Sequence, residues 1–328
     1  MEQKIEWKVA LQKYLPAKIY EALNAVKEDI AQNVEEIRLR ACRPLMIYTC
    51  DKGYCVKESG ALTETDGITV SEDDTEQTLQ AVTGRSPYAY KDEISMGYIT
   101  LESGIRAGLS GSALVYGGVV KAFKTVGGIN FRIPRAKAGI ARRLLPFISD
   151  GKTLYSTLII SSPRLGKTTL ARDIARCAGS GIGLSPCRVS LIDERQEMAA
   201  CVYGRPYFDV GRETDVISNV LKHAGVFMAL RSLSPDVIVT DEIGRSDDLE
   251  AIKEVANSGV VIIATAHAPD FHSLKNRTFF KRLCDEKPFD SYVVLSASLG
   301  RITVAQIYDA QGQGRLLKPI LLNTKEAV

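Results

Sequence analysis

The chain has 328 residues, 45% hydrophobic and 25% charged, an ordinary globular composition with room for two domains. Its formal net charge of +3 is too small to argue for a nucleic-acid partner, so any basic surface must be local. Seven scattered cysteines without a C-x-x-C pair, beside three histidines, offer no zinc pattern and read as reduced thiols of a cytosolic protein. No signal peptide opens the chain and no apolar run approaches the roughly 20 residues of a membrane span, so work at a membrane would need a partner.

Residues 1 to about 33 place Val9, Leu11, Leu15, Ile19, Leu23 and Val26 at loose helical spacing broken by Pro16, which predicts two packed helices. From Val34 the period becomes two. Ile37 and Leu39 alternate with Arg38 and Arg40, and a second strand follows at Leu45 to Tyr48. Further strands are expected at Tyr98 to Leu101, Ile105 to Leu109, Ala113 to Tyr116 before the Gly117-Gly118 turn, and Ile129 to Ile133. Arg106, Arg132 and Arg135 extend a basic row that suits either a wet sheet face or an anion or partner. A short helix flanked by turn residues should join this α+β domain (1–136) through 137–153 to a second domain (154–328).

The second domain opens on STLIISSPRLGKTTLARDIARCAG, Ser156 to Gly179. An apolar strand, Thr157 to Ile160, runs into the loop Ser161, Ser162, Pro163, Arg164, Leu165, Gly166, Lys167, Thr168, Thr169. Leu170, Ala171, Ile174, Ala175 and Ala178 then recur at helical spacing until Gly179. This order places backbone N–H groups and a helix N-terminus around an anion, with Lys167 reaching the β- and γ-phosphates of a nucleotide and the Thr168 hydroxyl ligating Mg²⁺. Gly151-Lys152-Thr153 repeats the triplet but follows a turn and no strand, so it reads as a connecting loop. Ser161 stands where the usual loop has Gly, which requires its φ to be negative. Arg164 occupies another position often held by Gly, and either turns to solvent or lies over the phosphates.

Strands and helices then alternate. Val189 to Ile192 is a strand ending in Asp193-Glu194, and Thr214 is expected to cap a long helix carrying Val216, Val220, Ala224, Phe227 and Leu230. Val237 to Thr240 is the next strand; Asp247 and Glu250 should cap the helix after it, and Val260 to Ala264 is a wholly apolar strand. This alternation implies an α/β domain with a mostly parallel sheet and ligands at the carboxyl ends of its strands.

Three strand ends carry chemistry. Asp241-Glu242 lies 74 residues beyond Lys167, on a strand expected next to the loop's own. There Asp241 suits a water-mediated Mg²⁺ contact and Glu242 the polarising of an attacking water. Asp193-Glu194 can supply a further metal contact or a γ-phosphate sensor, and His267 in Thr265-Ala266-His267-Ala268 suits a sensor role. A cation for the transition state is sought among Arg212, Arg231, Arg245 and the first-domain arginines.

Several spaced segments, EIRLRACRPL, GYITLESGIRAGLSG, INFRI, SSPRLGKTT, IDERQEMA, RSLSPDVIVTDEIG and ATAHA, together resemble the stage III sporulation protein AA family, within the type II/type IV secretion ATPase group of RecA-like P-loop enzymes. The resemblance implies a C-terminal RecA-like P-loop domain behind a smaller α+β N-terminal domain. It makes Lys167 and Thr168 the Walker A residues, Asp241 and Glu242 the Walker B pair, Asp193 and Glu194 an acidic box, and His267 a histidine box. It also implies ATP and Mg²⁺ as ligands, and Arg106, Arg132 and Arg135 as the region lending arginines across a ring. The expected assembly is a homo-hexamer on the cytoplasmic face of a membrane, bound to an integral platform protein (stage III sporulation protein AB) in the mother cell during sporulation. Three functions stay open: a motor hydrolysing ATP at a channel, a nucleic-acid-stimulated RecA-like ATPase, and a nucleotide-binding scaffold with little turnover.

Overall fold

The computed structural model describes residues 6–49, 52–117, 119–133, 137–202, 204–297 and 302–322. Contacts divide the chain into two compact units, 3–136 and 137–328.

In the first unit the alternation at Val34 makes a strand, β1 (Val34–Arg40), with Ile37 and Leu39 fully buried and Arg38 and Arg40 on the other face. It sits in a seven-stranded antiparallel sheet with β2 (Met46–Thr49), β3 (Gly53–Val56), β4 (Leu62–Thr63), β5 (Tyr98–Thr100), β6 (Arg106–Tyr116) and β7 (Val119–Arg132), ordered β4-β3-β2-β1-β7-β6-β5. The short strands expected at 105–109, 113–116 and 129–133 are thus the ends of one long hairpin. Its glycine-rich middle, SGS and VGG, lacks the apolar alternation by which a strand is read. Helix α1 (Ala17–Asn24) buries Ile19, Ala22 and Leu23. A helix not expected from the sequence, α2 (Glu72–Val82), starts at a reciprocal cap in which Ser71 and Asp74 each bond the other's backbone N–H, at 3.1 and 2.8 Å.

The second unit begins with residues 137–153, expected as a linker, which carry a short helix, α3 (Leu145–Ile148), and fold against the domain that follows: the Asp173 carboxylate accepts from the N–H of Gly139 (3.0 Å) and Ala141 (2.7 Å). Its eight-stranded sheet contains β8 (Thr157–Ser161), β9 (Val189–Asp193), β10 (Thr214–Ser218), β11 (Val237–Thr240), β12 (Val261–His267), β13 (Ser291–Ser296), β14 (Thr303–Asp309) and β15 (Ile320–Leu321), ordered β10-β9-β11-β12-β8-β13-β14-β15. The first six in that order pair in parallel, and β14 and β15 close the edge antiparallel. Every residue of β8, β9 and β11 is buried, as strands covered on both faces require. Asp241 does not neighbour the loop's strand as expected, because β12 lies between β11 and β8.

Three local expectations are corrected. Thr214 opens strand β10, and the helix, α5 (Lys222–Ser232), starts later, because Asn219 at φ 57° is left-handed and no right-handed helix passes through it. The helix after β11, α6 (Ser246–Asn257), is capped by Asp248, whose carboxylate accepts from the N–H of Gly244 and Arg245, both at 2.9 Å, and not by Asp247 with Glu250. Helix α4 (Lys167–Ser180) ends at left-handed Gly181. Gly179 instead lets β10 approach: a Cβ there would lie 2.4 Å from Thr214 Oγ1.

Candidate active site

The loop Ser161–Gly166 joins buried β8 to α4, and its conformation follows from its residues. Ser161 is not at positive φ, which removes the need for Gly; its hydroxyl is buried and bonds the Ser162 carbonyl at 2.7 Å. Arg164 is exposed at φ 63°, where Gly would be unstrained. Gly166, at φ 90°, is required twice over, since an added Cβ would also stand 2.6 Å from Ile302 Cγ1.

Lys167, 5% exposed, turns its ammonium back to the strand end. It donates to the carbonyls of Ser161 (3.2 Å) and Ser162 (3.4 Å), the Ser161 hydroxyl (3.3 Å) and His267 Nδ1 (2.9 Å). Burial lowers its pKa, while the negative charges of Asp241 and Glu242 oppose that shift. Because Lys167 donates to Nδ1, the imidazole proton belongs on Nε2, which lies 3.6 Å from Glu242 Oε1. The Thr168 hydroxyl donates to Asp241 Oδ2 at 2.9 Å, so the first turn of α4 and the end of β11 meet across β12.

Glu242 has φ 38°, a left-handed conformation costing about 1–3 kcal/mol for a non-glycine residue. Its peptide is held on both sides: its N–H is shared by Asp241 Oδ1 and Thr265 Oγ1, both at 2.9 Å, and its carbonyl accepts from Lys222 Nζ at 3.2 Å. Thr265 also bonds Asp241, and Arg195 pairs with the Glu242 carboxylate. Glu194 accepts from Lys222 (3.0 Å) and Arg245 (3.2 Å). Burial alone would raise its carboxyl, but the Lys222 bond and the charges of Lys222, Arg245 and Arg195 hold it below the ordinary glutamate range.

Asp193 points elsewhere. Both of its oxygens accept backbone N–H groups, from Glu197 (2.9 Å), Met198 (3.2 Å) and Ala199 (2.8 Å), and burial raises its pKa despite them. It therefore shapes the loop after β9, and direct metal ligation would break those bonds. The same loop is gripped by Arg172 of α4, which donates to the carbonyls of Met198 (2.6 Å) and Glu197 (2.8 Å). Burial pushes the Arg172 guanidinium down to about 10, against the pull of Asp193 and Asp241.

Lys167, Thr168, Asp241, Glu242 and His267 thus converge at the carboxyl ends of β8, β11 and β12, with Glu194, Arg195 and Arg245 beside them. Arg212 pairs with its neighbour Glu213 at 3.1 Å, and Arg231 is exposed at the end of α5. In the first unit Arg106 and Arg132 lie opposite each other on β6 and β7, Arg106 over the Tyr98 ring at 4.0 Å. Arg135 lies outside the described residues. No motif of the sequence marks Lys222 or Arg172, and Thr265 enters only as part of the segment around His267. Lys222 lies inside a segment whose pattern reads as one continuous helix, and Arg172 sits on a helix whose buried stripe predicts only apolar contacts; Thr265, a polar residue directly after an apolar run and two places before His267, does carry a signal.

Among the described residues no three His, Cys, Asp or Glu side chains group to hold a metal unaided. The hydroxyl–carboxylate pair of Thr168 and Asp241 suits Mg²⁺, which takes one or two protein oxygens beside phosphates and water. The start of α4 and buried Lys167 suit the phosphates.

A family model described as sporulation stage III, protein AA, matches residues 5–315. Stage III sporulation protein AA of Bacillus subtilis (strain 168) is 37% identical over 299 residues, covering 91% of this chain and 94% of that protein. Among solved structures, the ATPase DotB of Yersinia pseudotuberculosis superimposes with TM-score 0.57 at 15% identity, covering 86% of this chain and 77% of that one. The ADP-bound pilus retraction motor PilT gives 0.55 at 13% identity, covering 94% and 82%. The shared fold is that of RecA-like secretion ATPases with an N-terminal domain.

Proposed function

The chain belongs to the sporulation stage III, protein AA family, and from that premise we propose that it is a Mg-dependent, ATP-hydrolysing motor of the secretion type, powering assembly of or transport through the channel between mother cell and forespore. The observation that carries this reading is the convergence of Lys167, Thr168, Asp241, Glu242 and His267 at three strand ends.

In the proposed site, the N–H groups of the loop through Thr169 and the Lys167 ammonium bind the phosphates, and Thr168 with Asp241 holds the cation. Bound Mg-ATP supplies the phosphoryl group and a metal that spreads its charge. Glu242 orients a water and accepts its proton, and the hydrogen-bonded turn around it fixes where that carboxylate points. His267, between Lys167 and Glu242, reports phosphate occupancy to the base; Glu194 keeps Lys222 and Arg245 in register beside it.

The working form is a hexamer in which arginines of one protomer, with Arg106 and Arg132 as candidates, reach a neighbour's nucleotide. It sits at the inner face of the mother-cell membrane on a platform protein, stage III sporulation protein AB. No helix among the described residues is long and apolar enough to cross a membrane.

The test is steady-state Mg-ATPase activity against protein concentration, with DNA added in parallel and Glu242→Gln as control. Activity per chain should rise with concentration, ignore DNA and fall about 10²–10⁴-fold in the variant. Stimulation by DNA would favour the nucleic-acid motor; full activity in the variant would remove Glu242 as base.

A further inference from the structure

The hairpin of β6 and β7 runs beyond the sheet that contains it. Its register extends from Arg106↔Arg132 to Tyr116↔Val119, whereas β5 pairs with β6 only as far as Gly108 and β1 pairs with β7 only from Gly128 onward. Past Ser110 and Gly127, whose carbonyl accepts from the Ala41 N–H, the described residues of the two strands pair only with each other, and residues 110–116 of β6 are all exposed. A six-residue extension at about 3.3 Å per residue reaches roughly 20 Å. A free two-stranded ribbon of this kind is marginal in water unless something covers it.

Its side chains indicate what covers it. Leu114, Val115 and Tyr116 are 49%, 60% and 80% exposed, and the pairs Ala113↔Phe123, Leu114↔Ala122 and Val115↔Val120 are apolar. Successive pairs face opposite sides, so the ribbon is apolar on both faces, whereas a ribbon lying on one protein surface would be apolar on one face and wet on the other. Lys121 and Lys124, both exposed, are the residues the register skips at two bulges. Between Glu102 and Asp150 the chain has no acidic residue. An apolar tip ending in tyrosine, with lysines on the shaft and no negative charge, complements an anionic lipid surface.

We propose that the β6–β7 ribbon is a membrane-contact arm, its Leu114-Val115-Tyr116 tip entering the headgroup boundary of an anionic bilayer while Lys121 and Lys124 meet the lipid phosphates. The unpaired edges of the ribbon keep it at that depth, since their N–H and C=O groups must stay solvated. The contact is independent of the nucleotide reading, and adds direct lipid binding to whatever protein platform the chain uses.

The experiment is co-flotation of the full chain with vesicles of phosphatidylcholine alone or mixed with phosphatidylglycerol. The chain should float with the mixed vesicles and about tenfold or more weakly with the neutral ones, the difference shrinking as salt rises. Leu114→Ser/Val115→Ser/Tyr116→Ser should abolish flotation, and Lys121→Ser/Lys124→Ser should weaken it about tenfold on mixed vesicles only. These side chains are exposed, so both variants should melt with wild type; Tyr116→Ser alone serves if the triple variant does not. Failure of the wild type to float, or flotation unchanged by the tip substitutions, overturns the proposal. Loss of self-association in the tip variant without any vesicle binding would assign the ribbon to a second copy instead.

Discussion

The chain contains the same triplet twice, fifteen residues apart, and the two copies do different things. At Gly151-Lys152-Thr153 the backbone N–H groups of Lys152 and Thr153 are already taken by the Asp150 carboxylate, at 2.8 and 2.7 Å, which makes a closed surface turn. At Gly166-Lys167-Thr168 the triplet follows a fully buried strand and opens a 14-residue helix; its lysine is buried and its threonine reaches an acid from another strand. The chemistry resides in what precedes and follows the triplet. Asp150 satisfies one turn internally, whereas in the second turn the lysine bonds the end of its own strand and His267, the arrangement on which the proposed phosphate site rests.

The contrast is broken most severely at the lysines. Lys167→Ala should lower turnover at least ~10³-fold, because the buried cation proposed to meet the phosphates is lost, while Lys152→Ala should leave the rate within about twofold of wild type. The glycines sharpen it on stability. Both lie near φ 90°, so alanine at either costs about 1–2 kcal/mol of backbone strain. At Gly151 nothing lies within 4 Å of the new Cβ, so that is the whole cost, whereas at Gly166 the contact with Ile302 adds about 1–3 kcal/mol. Denaturant unfolding of the two variants should therefore separate them, and equal losses would remove Ile302 as a constraint on the loop.

The smallest effect is electrostatic. Glu194 has a pKa lowered in the folded chain, so its contribution is present above its unfolded value of about 4.3 and is lost as pH falls through the folded one. Glu194→Gln should flatten the acid side of the stability curve below that pH and leave its slope at neutral pH alone. An unchanged acid limb would show that Lys222 and Arg245 do not hold the carboxylate in solution.

Legibility in the sequence followed the covering of the strands. In the second unit strands buried on both faces are uniform apolar runs ending in charge, so Thr157 to Ile160, Val237 to Thr240 and the approach to His267 could be read directly. The fold expected there, a mostly parallel RecA-like sheet behind a smaller α+β domain, is the one found. Strand β10 mimics a helical pattern because Val216 and Val220 fit both periods, and only Asn219's left-handed turn decides between them. The site's polar supports were hidden for a related reason. Lys222, Arg172 and Thr265 act through contacts made only when distant strand ends are brought together, and no local period records those. The β6–β7 ribbon breaks into fragments in the sequence pattern because glycines interrupt its alternation and no core face imposes one.

The most direct test of the account is equilibrium binding of Mg-ATP to Glu242→Gln, in which hydrolysis should not deplete the ligand, compared with the same variant also carrying Lys167→Ala. The account predicts one saturable site per chain in the first and none in the second. No binding to Glu242→Gln, or binding that survives the loss of Lys167, would contradict it.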